Sequence, residues 1–327
     1  MIIGIPRETK DLESRVGLTP KWVAKLCEQR HIVFIQKDLG KLARISDDEY
    51  IKCGAKVLDT VEEIYQKSEM IIKLKDYTPE ERSLPFQKNQ IVVCFFHLGE
   101  IEPDQPLVDI LLEKQIHGIS LELIRDKSGA RPTIKQMSEI AGRLAVLSAC
   151  RYSMLPEGNG ISLAAIDGID KPKIVILGGG TSGTAAAKVS EGIGARTVVF
   201  EALYPRIEHL STLLKHSELL LYDLDELKEH IKDCDALINT IYPVPGMKFP
   251  IVTREMVKTM KKRAVIVDLT GCDIIETSHY TTISDPVYEE EGVIHFAVDN
   301  LPAMVQGNNH RYYIGRRKES YMRSNCK

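Results

Sequence analysis

Short apolar runs recur along the whole chain and alternate with stretches of helical period. In the first half they fall at 2–5, 32–36, 70–73, 91–96 and 118–121. In the second half they fall at 173–177, 196–200, 218–222, 236–241, 264–268 and 293–297. Helical patterns at 20–28, 137–154, 181–192 and 254–261 separate them. Strands that alternate with helices build parallel sheets covered on both faces. Two such series predict two α/β domains meeting at a cleft, with the helix over 137–154 as connector and Gly158-Asn-Gly160 as a turn after it.

Composition narrows the class without changing this picture. The chain has 327 residues, enough for two separate cores. It is 43% hydrophobic and 27% charged, as soluble globular proteins are. A net charge of −3 offers no basic field for nucleic acid or for an anionic membrane. The apolar runs are too short to span a bilayer, and Met1-Ile-Ile-Gly-Ile-Pro opens directly as a strand. Seven scattered cysteines (27, 53, 94, 150, 234, 272 and 326) make no CxxC pair, so neither a disulfide framework nor a metal site is expected. Reduced thiols in a cytoplasm are the simpler reading.

The sharpest motif lies past the midpoint, in "IVILGGGTSGTAAA". Gly178, Gly180 and Gly183 fit G-x-G-x-x-G, directly after a strand and directly before a helix. The first glycine permits a tight turn, the second lets a pyrophosphate approach the backbone, and the third lets helix and strand pack closely. The next strand ends in Glu201, where a carboxylate would accept bonds from ribose hydroxyls. Ala202 follows rather than an arginine suited to a 2′-phosphate, so the expected cofactor is NAD.

The first half must then carry the substrate. Arg7, Glu8, Lys10 and Arg15 cluster in "PRETKDLESRVGLTP", although a solvated loop is the usual fate of such charges. Lys73 and Lys75 close a strand in "MIIKLKDYTPEE", where period two would place both on one face, toward the ligand crevice of an open sheet. His97 closes "IVVCFFHLGE" in the same manner.

The segments "IIGIPRETKDLESRVGLTP", "IIKLKDYTPEE", "FFHLGE", "MSEIAGRLAV", "ILGGGTSGTAAAKV" and "EEGVIHFAVDNLP" occur in one order. From Met1 to about Val305 the chain resembles the alanine dehydrogenase and N-terminal transhydrogenase family. The resemblance implies an α/β protein of two Rossmann-like domains with parallel sheets, the NAD domain inserted into the catalytic domain. It gives a catalytic domain over 1–136, an NAD-binding domain over 137–300, and a short segment over 301–327 returning toward the catalytic domain. It explains why the glycine motif lies so late.

Residue by residue, the resemblance places the family's substrate-carboxylate arginine on Arg15, its substrate-binding lysine on Lys75 and its catalytic histidine on His97. Ser138 and Asn300 match cofactor-side residues. Two segments depart from the family pattern. Where active alanine dehydrogenases carry Asp-Gln-Gly-Gly, this chain reads "VIVDLTGCDIIETS", with Thr270 or Asp273 as stand-ins for the family aspartate. The family's Pro-x-Thr-Ser-Thr segment and helical tail are replaced by the basic "AMVQGNNHRYYIGRRKESYMRSNCK".

The expected activity is that of an NAD-dependent oxidoreductase at the C–N bond of an amino acid/2-oxo acid pair. The alternatives are an opine-type synthase, joining an oxo acid to an amino acid by reductive condensation, and a non-catalytic NAD-binding protein. The expected partners are the small substrate and further copies of the chain, as a dimer or higher homo-oligomer in the cytoplasm, with no nucleic acid, membrane or metal.

Overall fold

The computed structural model describes residues 1–98, 104–243, 247, 249–271 and 273–305. Most of the basic C-terminal tail, and the cysteines at 272 and 326, lie outside them. The chain divides into two compact units, one of residues 1–133 with 303–305 and one of residues 134–302.

The first unit is a six-stranded parallel sheet. Its strands are β1 (Ile2–Ile5), β2 (Ile32–Gln36), β3 (Lys56–Leu58), β4 (Met70–Ile72), β5 (Ile91–Cys94) and β6 (His117–Ser120). They lie in the order β3-β2-β1-β4-β5-β6. Helices α1 (Pro20–Glu28), α2 (Asp47–Lys52), α3 (Val61–Lys67) and α4 (Gln105–Glu113) connect them. Successive strand residues point to opposite faces, so the core divides in two. Ile5, Val33 and Ile35 pack with Val23 of α1 and Tyr50 of α2. Ile71, Val92 and Cys94 pack with Ile64 of α3 and Leu107 of α4. Local sequence fixes the helix starts. Ser46 with Glu49, and Thr60 with Glu63, form reciprocal capping boxes at α2 and α3.

The second unit is a seven-stranded sheet. Its strands are β7 (Lys173–Leu177), β8 (Arg196–Glu201), β9 (Glu218–Leu221), β10 (Ala236–Asn239), β11 (Val265–Asp268), β12 (Val287–Glu290) and β13 (Val293–Phe296). The order is β12-β13-β11-β10-β7-β8-β9, and only β12 runs antiparallel. The helices are α5 (Pro132–Tyr152), α6 (Thr181–Gly192), α7 (Tyr204–Leu213), α8 (Leu224–Lys232) and α9 (Arg254–Lys258). Every residue of β7, β10, β11 and β13 is buried, as expected of strands covered on both sides. Ile174, Ile176 and Val199 meet α5, α6 and α7 on one face. Val175, Leu177 and Val198 meet α8 and α9 on the other.

Both sheets are α/β layers with the same progression, outward from a central strand and then back across it. The central strands agree with the apolar runs of the sequence. Two edge strands do not appear in that pattern: β3 has only three residues, and β12 exists because Glu291 (φ 53°) and Gly292 (φ 76°) form a two-residue hairpin turn. Six strands stop short of their apolar runs, with β6, β9 and β13 each ending one residue early. β4 ends at Ile72, β5 at Cys94 and β10 at Asn239.

One close approach fixes α5 against α6. A Cβ built on Gly142 would lie 2.0 Å from the Ser182 carbonyl oxygen in the first turn of α6. Alanine usually stabilises a helix interior by up to about 1 kcal/mol relative to glycine. Here the overlap with rigid backbone outweighs that gain, since overpacking costs roughly 1–3 kcal/mol. Gly142→Ala should therefore lower the melting midpoint of the second unit by several degrees in calorimetry; an unchanged or higher midpoint would refute the close-packing account.

Candidate active site

Reversal of strand order opens a crevice at the carboxyl ends of the two strands that flank it. In the second unit these are β7 and β10, and the glycine turn fills the gap. Gly178 takes φ +86°, open to glycine at little cost. A Cβ on Gly183 would sit 1.8 Å from the Gly178 carbonyl oxygen, so only glycine lets α6 start so close to the turn. Gly180 differs: nothing lies within 4 Å of where its Cβ would be. Its open face, at the N-cap of α6, is the cradle that a pyrophosphate requires. The residues present thus fit a dinucleotide.

Glu201, the last residue of β8, accepts from the Gly179 N–H at 2.8 Å and from the Leu203 N–H at 3.0 Å. It braces the turn from the side where an adenosine ribose would lie. Arg206, in α7, braces it again, donating from Nε to the Gly179 carbonyl (2.7 Å) and from Nη2 to Thr184 Oγ1 (3.0 Å). Thr240, beyond β10, donates to the carbonyls of Leu177 and Gly178. Sequence reasoning did not single out Arg206 or Thr240. The only signal for either is position: one opens the helix after the acid strand, and the other follows the strand across the reversal.

Beyond β10 and β11 a buried polar trio forms. Asp268 Oδ1 accepts from Asn239 Nδ2 (2.8 Å), the Thr270 N–H (2.9 Å) and Thr270 Oγ1 (3.0 Å). Asp268 Oδ2 is buried with no hydrogen-bond partner among the described residues. Of the two stand-ins for the family aspartate, Thr270 belongs to this trio, whereas Asp273 is exposed on the turn that follows. Ser138 is half-buried on α5, and Asn300 is half-buried with φ +70°. The unit thus gathers Gly178, Gly180, Gly183 and Glu201 around one turn.

In the first unit the reversal lies between β1 and β4, and the ends of these strands carry charge rather than glycine. Arg15 is buried, and its Nε and Nη2 donate to the two carboxylate oxygens of Glu13 at 2.8 and 2.5 Å. Such a fork is suited to a planar carboxylate. Lys75 is also buried, with its ammonium 3.8 Å from Asp76. Lys10 holds the same aspartate at 2.9 Å. Glu8 accepts from the backbone N–H groups of Leu74 (2.6 Å) and Lys75 (3.2 Å). Burial raises the Glu8 carboxyl to about 7, against the pull of the Lys73 charge and the two N–H bonds, with Glu13 pushing it further up.

His97 follows β5 by three residues, in the left-handed region at φ +55°. Its N–H donates to Glu122 Oε1 at 2.8 Å, in the turn after β6, and its ring stacks on Phe95. Backbone strain of this kind persists where surrounding contacts fix it.

Lys73 does not face a crevice as period two implied. β4 has ended before it, and its ammonium is buried between the two Glu81 oxygens (2.7 and 2.8 Å) and the Tyr77 ring. It is a structural cation, while Lys75 stands beyond the bend. Glu8, which the solvated-loop reading left without a role, is instead a buried acceptor, as are Glu13 and Glu122. Among the described residues no cluster of histidine, cysteine or carboxylate could hold a metal ion, and no helix is long and apolar enough to cross a membrane.

The Glu8 titration has a thermodynamic consequence. Its ordinary value is near 4.5 and its folded value about 7. Between them the folded protein holds a proton that the unfolded chain has released, so this contribution to stability is present below about 4.5 and is lost as pH rises toward 7. Glu8→Gln is neutral throughout. Its stability relative to the native protein should therefore rise by roughly 2 kcal/mol from pH 5 to pH 8. Denaturant unfolding of both proteins across that range checks this; a difference independent of pH would mean that Glu8 is ionised in the fold.

Comparison with known proteins gives the family. Residues 4–141 match the family model "Alanine dehydrogenase/PNT, N-terminal domain", and residues 145–314 match "Alanine dehydrogenase/PNT, C-terminal domain". The alanine dehydrogenase of Methanococcus maripaludis is 36% identical over 311 residues, covering 93% of this chain and 82% of that protein. Alanine dehydrogenase 1 of Staphylococcus aureus is 37% identical over 314 residues, with the same coverage. Among solved structures, an L-alanine dehydrogenase superposes with a TM-score of 0.83 at 34% identity, over 96% of this chain and 89% of that one. A transhydrogenase from Sinorhizobium meliloti shares the fold, with a TM-score of 0.75 at 24% identity over 93% and 88%. Two family models that together span most of the chain, and relatives above 30% identity over nearly all of it, place this protein in the alanine dehydrogenase/PNT family.

Proposed function

We propose that this protein interconverts an amino acid and its 2-oxo acid with NAD as hydride carrier, acting at the carbon between carboxylate and nitrogen. It is an oxidoreductase of the NAD-dependent amino-acid dehydrogenase type, and the small pair alanine/pyruvate is the substrate we assign to it. The observation that carries this assignment is the strand-end cluster of the first unit, where Arg15 and Lys75 are buried beside the β1/β4 reversal in a family whose curated relatives are alanine dehydrogenases. Residues 1–136 serve as the catalytic region and 137–300 as the cofactor region, in a homo-oligomer.

When bound, NAD supplies the hydride acceptor or donor, and the protein supplies position and electrostatics. The Gly180 face and the α6 N-terminus receive the pyrophosphate. Glu201 accepts from the ribose hydroxyls and repels a 2′-phosphate. Ser138 and Asn300 complete the cofactor side.

In the first unit, the Arg15 guanidinium, its plane fixed by Glu13, binds the substrate carboxylate. The Lys75 ammonium polarises the oxo or imino group. His97, its backbone fixed by Glu122 and its ring by Phe95, exchanges the proton that the amine and carbinolamine steps require. Thr270 takes the family aspartate's place in this reading, because Asp273 lies on an exposed turn.

Two measurements test the assignment. Gly180→Val adds a side chain where the structure leaves open space, so it should stay folded yet bind NADH at least tenfold more weakly by fluorescence titration; unchanged affinity in a soluble variant contradicts the cradle. Lys75→Ala and His97→Ala should each lower turnover of pyruvate with ammonia and NADH at least about a hundredfold, to a residual rate that is still measurable, while leaving NADH affinity within about twofold, and the double variant should be little worse than either. Turnover that requires ornithine or lysine in place of ammonia would instead identify an opine-type synthase. Full activity of the His97 variant would remove the proton-transfer role.

A further inference from the structure

The bend that carries Lys75 is held in an unusual way. β1 pairs with β4 only through Ile3–Met70 and Gly4–Ile71, so the backbone N–H groups beyond Ile72 have no strand partner on that side. On the other side the ladder continues, with Lys73 N–H to the Val93 carbonyl at 3.0 Å and Phe95 N–H to the Leu74 carbonyl at 2.8 Å. The side chain of Glu8, three residues past β1, takes the place of the missing strand. Its two oxygens accept separately from Leu74 (2.6 Å) and Lys75 (3.2 Å), across more than sixty residues of sequence.

A buried carboxylate is an unfavourable way to close a turn, because an ion loses its hydration there. A carboxylate nonetheless gives what an apolar side chain cannot: two directed acceptors at fixed separation. We propose that Glu8 is a positioning residue for Lys75, its bidentate hold on the Leu74 and Lys75 amides setting where the lysine ammonium meets the substrate. The inference rests on the reading of Lys75 as a substrate-binding group.

The groups that face Glu8 are Lys73 with its partner Glu81 beyond β4, Glu13 with Arg15 beyond β1, Cys94 on β5 and Tyr65 on α3. Of these, the Lys73 charge favours the ionised carboxylate and Glu13 opposes it. Ionised Glu8 makes charge-assisted bonds to both amides, which are stronger than neutral ones. The hold on Lys75 therefore tightens as pH rises through the carboxyl's titration near 7.

The test uses the full chain. Glu8→Gln should lower kcat about tenfold or more, as expected when a reacting group is displaced by about an ångström, with NADH affinity within about twofold of wild type. Glu8→Asp, which keeps the charge on a shorter arm, should recover part of the loss. Because Glu8 acts through Lys75, the Glu8→Gln/Lys75→Ala double variant should be no worse than Lys75→Ala alone. In wild-type protein labelled with 15N-leucine and 15N-lysine, the amide resonances of Leu74 and Lys75 should titrate together with a midpoint near 7. Wild-type kcat in Glu8→Gln, a double variant worse by the product of the single effects, or two amides that do not titrate together would overturn the proposal. If Glu8→Gln does not fold, the aspartate variant and the amide titration decide. Full turnover by Lys75→Ala would instead sink the reading of Lys75 on which the inference stands.

Discussion

A parallel sheet whose strand order reverses must send the connections of two neighbouring strands to opposite faces, and the gap this leaves cannot be filled by regular structure. Both units of this protein are built on that constraint, with the same strand progression in each. They fill the gap with opposite materials. Between β7 and β10 the chain strips away side chains and leaves backbone N–H groups at a helix start. Between β1 and β4 it brings in carboxylates, lysines and an arginine. The difference suits what each gap is proposed to hold. A pyrophosphate is large and needs close approach to many weak donors, whereas a small amino acid offers one carboxylate and one nitrogen, which call for a few strong, directed partners.

Concentrating ions in the first unit is tolerable only because they are matched. Glu8, Glu13, Asp76 and Glu81 share the space with Lys10, Arg15, Lys73 and Lys75. Pairing is what makes burial of such groups affordable at all. The pairs also divide the labour. Lys73 is enclosed by Glu81 and a tyrosine ring and serves the fold, while Glu13 orients the guanidinium that the proposed chemistry uses. Two lysines separated by one residue have different surroundings because β4 ends at Ile72, before both of them, and alternation no longer applies past that point.

The same boundary explains what the sequence could and could not tell. The central strands and the glycine turn were legible, since both are local: apolar runs mark strands buried on two faces, and the turn's spacing follows from its own geometry. β12 was not legible because it depends on a hairpin whose turn residues, Glu291 and Gly292, are not a strong local signal. Glu8 was visible only as one charge among several in a polar segment. Its role comes from Leu74 and Lys75, more than sixty residues away, and no periodicity within "PRETKDLESR" encodes that pairing. Arg206 and Glu122 are similar, each an ordinary polar residue made specific by a distant backbone group.

The segment after β11 shows how a strand end decides the use of a carboxylate. Asp268 closes the strand and is turned inward, where Asn239 and Thr270 supply three donors to a single oxygen. Asp273, five residues on, is in solvent. A carboxylate that serves a substrate must lie between these extremes, buried enough to act in a low dielectric and open enough to be reached. Neither aspartate meets that condition among the described residues, and the Thr270 hydroxyl is itself buried, donating to Asp268 and accepting from Asn239. On the proposed reading the grip on carboxylate and nitrogen belongs to Arg15, Lys75 and His97, while the segment after β11 commits Asp268 Oδ1 to Asn239 and Thr270.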